Sequence, residues 1–247
     1  MLVAQAVGLV GAVAFAVATS QPVPATEALA WAAAAGLAGI MALAAFYQAL
    51  AIGRMGIVAP VAGVIGASVP VIVGIAAQGL PSTLQLVGMG LAVASVALVS
   101  RPGDQPAGAN DRRSLVLAIV AGVGFALFIT FMDRAGHASV PWLVSASRIS
   151  AVALMTVVVV ATRTRPPAGP RRWLAIAAVA GVFDVLGNGF FVAAVQTGRL
   201  DVAAVTSSLY PIATVILARI LLGERFAHVH VAGIAVATTA IACIAAG

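Results

Sequence analysis

From end to end, the chain is built of stretches of about twenty residues in which charged side chains are nearly absent. A helix of that length spans the hydrocarbon core of a bilayer, so the pattern admits few folds besides a bundle of membrane-crossing helices. Nine such spans are predicted, at 1–20, 28–52, 56–78, 84–100, 114–132, 141–162, 173–196, 202–222 and 228–246. With 62% hydrophobic and 8% charged residues, too little is left between them to build a soluble domain. A transmembrane barrel would need segments of about ten residues alternating apolar and polar, whereas these are apolar on every face. The fold class expected is therefore all-α integral membrane.

The formal net charge of +6 would suggest nucleic acid in a soluble protein. Here all thirteen basic residues are arginines, mostly in loops beside predicted membrane ends, so the charge reads as topology and no nucleic-acid partner is expected. Loops 101–113 and 163–172 hold seven arginines on one side, against Arg134 and Arg199 on the other. The positive-inside rule makes the arginine-rich side cytoplasmic and turns the C-terminus outward. Trp31, Trp142 and Trp173 fall at predicted span boundaries, where an amphipathic ring prefers the headgroup zone. Cys243, the single cysteine, lies inside the last span and allows no internal disulfide. His228 and His230 have no third ligand nearby, so no metal site is expected. No phosphate loop, catalytic triad or carboxylate pair is present, which argues against an enzyme and against a bound cofactor.

Laid against itself with a shift of 145 residues, the chain matches without a gap. Gly53-Arg54 falls on Gly198-Arg199, Gly36 on Gly181, Phe46 on Phe191, and Gly88 on Gly233. The second copy has five spans and the first has four, so the repeat predicts one more helix ahead of Met1. Residues 1–20 are not a cleaved signal, because they lack a basic start and match the internal stretch 146–165. An odd unit repeated in tandem inserts its copies in opposite senses, giving an inverted repeat of five-helix units with nine spans present of an expected ten. The boundaries expected are 1–100 for the first repeat, 101–113 for the loop between, and 114–247 for the second.

Ser207-Ser208-Leu209-Tyr210-Pro211, continuing through Leu221-Leu222-Gly223-Glu224-Arg225 to Gly233, resembles the end of an EamA domain of the drug/metabolite transporter superfamily. Ala49 to Ser100, with Gly53 to Pro60, resembles the first copy of that domain. The resemblance implies a ten-helix secondary transporter of the cell membrane with both termini inside, exporting amino acids or related metabolites. The C-terminal implication conflicts with the arginine count. There are two departures: the missing helix, and Gln78-Gly79-Leu80 where the second copy has Gly223-Glu224-Arg225. The alternative to a carrier is a non-transporting subunit or an inactive fragment.

An ionisable side chain at mid-depth costs about 2.5–3.5 kcal/mol on insertion scales, so each one needs a partner or water. Asp184 lies near the middle of span 173–196, with Asn188 one turn later on the same face. Arg148, in the second turn of its span, either snorkels or serves as countercharge to Asp184 or to an anionic substrate. Asp184 either fixes packing or couples transport to protons, and on the second reading Asp184→Asn should still insert and fold while transport fails. Pro70 and Pro211 are read as helix breaks, each freeing the carbonyl four residues earlier, at Gly66 and Ser207. Phe46, Tyr47 and Gln48, with Ser207, Ser208 and Tyr210, complete the expected lining for a small-molecule substrate.

Overall fold

A backbone without access to water must satisfy its own N–H and C=O groups, which a helix does within a single segment. The computed structural model describes residues 1–53, 55–99, 111–163, 172–207 and 228–246. Among these the chain forms α1 (Leu2–Ala18), α2 (Thr26–Ile52), α3 (Met55–Gln78), α4 (Thr83–Val99), α5 (Asp111–Arg134), α6 (Val140–Ala161), α7 (Arg172–Thr197), α8 (Leu200–Ser207) and α9 (His228–Ala246), and no strand. Four of these, α2, α5, α6 and α7, are long and apolar enough to cross a bilayer, and α1, α3, α4 and α9 carry shorter apolar segments. Most ends fall within two or three residues of the predicted spans. The charged Asp111-Arg112-Arg113 extends α5 past its apolar stretch, since a helix can continue into the headgroup region where its side chains are solvated. Of span 202–222 only the start is described.

Helix α3 runs unbroken from Met55 to Gln78 with Pro70 fully buried inside it. The proline withholds one hydrogen bond from Gly66 without ending the helix, as neighbouring turns carry the ladder through.

The helices gather into two compact units. The first comprises Met1–Ile40 and Phe128–Thr197, the second Met41–Leu127 and Gly198–Gly247. Each draws on both halves of the sequence, so compactness follows a different division from the 145-residue repeat.

In the first unit α1 packs on α6 and α7. Ala12, Ala32, Ala35, Met132, Leu143, Val144 and Val192 form its core, bordered by Trp31, Phe131 and Phe191. Between helices in lipid there is no hydrophobic drive, so association depends on close approach. Two glycines supply it: a Cβ on Gly36 of α2 would overlap the Ser147 carbonyl of α6, and one on Gly181 of α7 would overlap the Ala4 carbonyl of α1. The 145-residue shift superposes these two glycines. At the far end of α1, Trp142 Nε1 donates to the Gln21 carbonyl at 3.0 Å.

In the second unit α4 lies against α9, with Met89, Ala92, Ala240 and Ile244 between them. A Cβ on Gly88 would come within 2.9 Å of the Ala240 carbonyl, and Ser95 Oγ donates to the Gly233 carbonyl at 2.8 Å. Residue numbers rise along one helix as they fall along the other, so the pair is antiparallel. The two contacts also exchange under the 145-residue shift, which carries Gly88 to Gly233 and Ser95 to Ala240. In the same unit α8 packs on α3, where Gly74 leaves room for Asp201.

Candidate functional site

Helices α1, α6 and α7 converge in the first unit on a small polar cluster. Arg148, one of the fully charged side chains of the apolar stretches, is only 4% exposed, so it does not snorkel out along its helix. Its Nη1 donates to Asp184 Oδ2 at 2.5 Å and also to Gln5 Oε1 of α1. Asn188 Nδ2 donates to the Asp184 backbone carbonyl at 3.0 Å and to Oδ1 at 3.3 Å, which fixes the carboxylate from the turn below.

The pair is lopsided. The Asp184 side chain is 41% exposed against 5% for Arg148, so the guanidinium is the desolvated member and the carboxylate its half-open countercharge. A guanidinium offers five N–H donors. Arg148 Nη2 is buried and has no hydrogen-bond partner among the described residues, a costly arrangement in an apolar surrounding. The arrangement can hold one charge in place, exchange one acceptor for another, and present a carboxylate edge to whatever enters beside α7.

Sequence reasoning named Arg148, Asp184 and Asn188, and the structure brings them together. It missed Gln5, although a long amide inside an apolar stretch was a visible signal. Phe46, Tyr47, Gln48, Pro70 and Ser207 belong to the second unit. Phe46 packs edge-on against Phe125 with ring centroids 5.8 Å apart and joins the core around Ala49, Val58 and Ala118. Tyr47, Gln48 and Ser207 are exposed. Ser208, Tyr210 and Pro211 lie outside the described residues, as do Arg219, Glu224 and Arg225.

A second ionic arrangement was also missed. Asp201, at the start of α8, is fully buried, and Arg199 holds it with Nε to Oδ1 at 3.1 Å and Nη2 to Oδ2 at 2.9 Å. Arg199 Nη2 also donates to the Gly79 carbonyl at 2.6 Å, tying the start of α8 to the end of α3. The hydrogen bond to Asp201 pushes the Arg199 guanidinium above its ordinary pKa. Among the described residues no group of three His, Cys, Asp or Glu could hold a metal ion.

The profile of the EamA-like transporter family matches residues 112–246, more than half of the chain. The chain belongs to the EamA-like transporter family. The match runs from α5 to α9 and contains Arg148, Asp184, Asn188 and Ser207. No curated protein sequence matches the chain. One solved crystal structure superposes on 98% of this chain and 84% of its own length, with a TM-score of 0.77 and 13% identity. At that identity the likeness shows a shared fold. EamA membership makes the protein a multi-pass membrane transporter of the drug/metabolite type, in a family of transporters rather than enzymes.

Proposed function

We propose that this EamA-family protein is a secondary carrier that exports a small polar or amphipathic metabolite, such as an amino acid, across the cell membrane by alternating access. The observation that carries the reading is the Arg148–Asp184 pair, with Arg148 buried and one of its amino groups without an acceptor among the described residues. The unpaired amino group is a donor that a second acceptor could take. A pair that must exchange partners keeps one in reserve.

The antiparallel α4–α9 contact, reciprocal under the 145-residue shift, supports an inverted repeat with boundaries at 1–100 and 114–247. In this reading Phe46, Tyr47, Gln48, Ser207, Ser208 and Tyr210 line the path, and Pro211 opens the backbone beside it. The test uses the paired variant Arg148→Met with Asp184→Asn, which removes both charges together and leaves neither stranded. Reconstituted in vesicles and assayed by counterflow over a panel of amino acids and related metabolites, it should be inactive where the parent is active. Parental rates in that variant would reduce the pair to a packing device.

A further inference from the structure

Arg148 is bonded on two sides that differ in access. Gln5 of α1 is 5% exposed and Arg148 itself 4%, whereas the Asp184 side chain stands 41% open. Both acceptors share Nη1, and Nη2 has no partner among the described residues. A guanidinium only donates, so the Gln5 amide must turn its Oε1 towards it and serves the pair as a neutral, closed-in acceptor.

The face of α1 that carries Gln5 is gripped by its neighbours. Gly8, one turn on, lies beside the guanidinium, where a Cβ would come to 3.7 Å from Arg148 Nε and 3.4 Å from both the Gly181 carbonyl and Val185 Cβ. Ala4, next to Gln5, brings its carbonyl into the space that a Cβ on Gly181 would need. Helix α1 therefore cannot carry Gln5 away from Arg148 without opening that contact. Asp184, already half open, needs only a side-chain rotation.

We propose that Gln5 is the positioning residue of this site: it keeps the Arg148 guanidinium in place and hydrogen-bonded while Asp184 lets go, so that α7 supplies the acceptor that exchanges and α1 the one that stays. The role rests on the carrier reading, since only a pair that exchanges needs an acceptor that does not. With Asp184 turned away, the guanidinium keeps Gln5 on Nη1 and offers the unused Nη2 to an acceptor of the solute. Without Gln5 the same step would strand a buried charge. A hydrogen bond to a charged group shifts an equilibrium by about ten- to a hundredfold, and by that factor Gln5 raises the share of molecules ready to exchange.

The test uses two variants of the full chain, reconstituted in vesicles and assayed by counterflow over the same panel of solutes as the parent. Gln5→Met keeps the length of the side chain and removes its acceptor. The maximal rate per folded molecule should fall by about tenfold or more while KM stays within about threefold, because the step that suffers is the exchange and not the first encounter. A merely structural Gln5 would lower the yield of folded protein and leave the rate per folded molecule at the parental value, and that result overturns the proposal. The second variant, Gln5→Glu with Asp184→Asn, moves the carboxylate from the half-open side to the closed side at unchanged net charge. In reversible unfolding it should be more stable than Asp184→Asn alone, since Arg148 regains a charged partner, yet transport should stay lost, since the carboxylate no longer sits where it can exchange. Regained transport, or no gain in stability, overturns the proposal. A parent that carries no solute of the panel would overturn the carrier reading and this role with it, whereas any of the adverse results against an active parent strikes the role alone.

Discussion

Breaking the Arg148–Asp184 pair from its two sides should not cost the same. Removing one partner of a buried pair typically costs about 3–5 kcal/mol, because the other charge is left desolvated without compensation. Asp184→Asn strands Arg148, whose side chain is 5% exposed. Gln5 and the new amide still accept hydrogen bonds, so the loss should fall near the lower end, about 3 kcal/mol. Arg148→Met strands Asp184, which is 41% exposed and keeps Asn188 at 3.3 Å. Solvent or headgroup screening discounts that loss to about 1–2 kcal/mol. The double variant removes both charges and should cost about 2 kcal/mol, less than the sum of the singles, giving a coupling of about 2–3 kcal/mol. Reversible unfolding in bicelles, followed by steric trapping, measures all three. Equal costs for the two single variants, or a double variant equal to their sum, would refute the reasoning. The sequence expectation that Asp184→Asn retains insertion and folding treats the carboxylate as the expensive group. The geometry makes it the countercharge of a more expensive one.

Gly36→Leu and Gly181→Leu should each cost about 1–3 kcal/mol or more, since the carbonyls of Ser147 and Ala4 that their Cβ atoms would meet are backbone and cannot swing aside. Gly187→Leu, on the same helix as Gly181 but open within 4 Å, should stay within about 0.5 kcal/mol in the same unfolding assay. Arg199→Ala should destabilise more than Asp201→Asn, because it leaves a fully buried carboxylate without its two guanidinium bonds, and protease accessibility of the segment between α7 and α8 reports the difference. A reporter fused at Gly247 should read outside if the seven arginines of loops 101–113 and 163–172 set the topology, and a cytoplasmic readout overturns that assignment.

How much of this was legible in advance follows from how local the cause is. A charge-free run of twenty residues in lipid leaves the backbone one local solution, so the helices could be read off, and their ends erred mainly where charged residues such as Asp111 and Arg112 continue a turn beyond the apolar stretch. At Pro70 the loss of one hydrogen bond is legible in the sequence while its accommodation is not, because the neighbourhood that buries the ring decides it. The ionic cluster was half legible. Two ionisable groups in apolar stretches had to find partners, and Arg148 and Asp184 found each other. Which of them is buried depends on α1, which arrives with Gln5 from 143 residues away, and no pattern within α6 or α7 encodes that.

The repeat carries information of another kind, because it specifies contacts rather than elements. Gly36 and Gly181 correspond in sequence and each admits a foreign carbonyl, while the Gly88–Ala240 and Ser95–Gly233 contacts exchange under the same shift. Glycines at matched positions thus foretell where helices close on one another, since only a missing Cβ allows that distance. The polar residues obey no such rule. Asp184 corresponds to Gly39, which packs under Phe128, and Asp201 corresponds to Gly56, so the half-exposed Asp184 and the buried Asp201 both stand where the other copy has glycine. Packing is thus shared between the copies, whereas these charges belong to one copy alone. A scaffold needs the first property to bring its helices together twice over, and a site that handles an asymmetric solute needs the second.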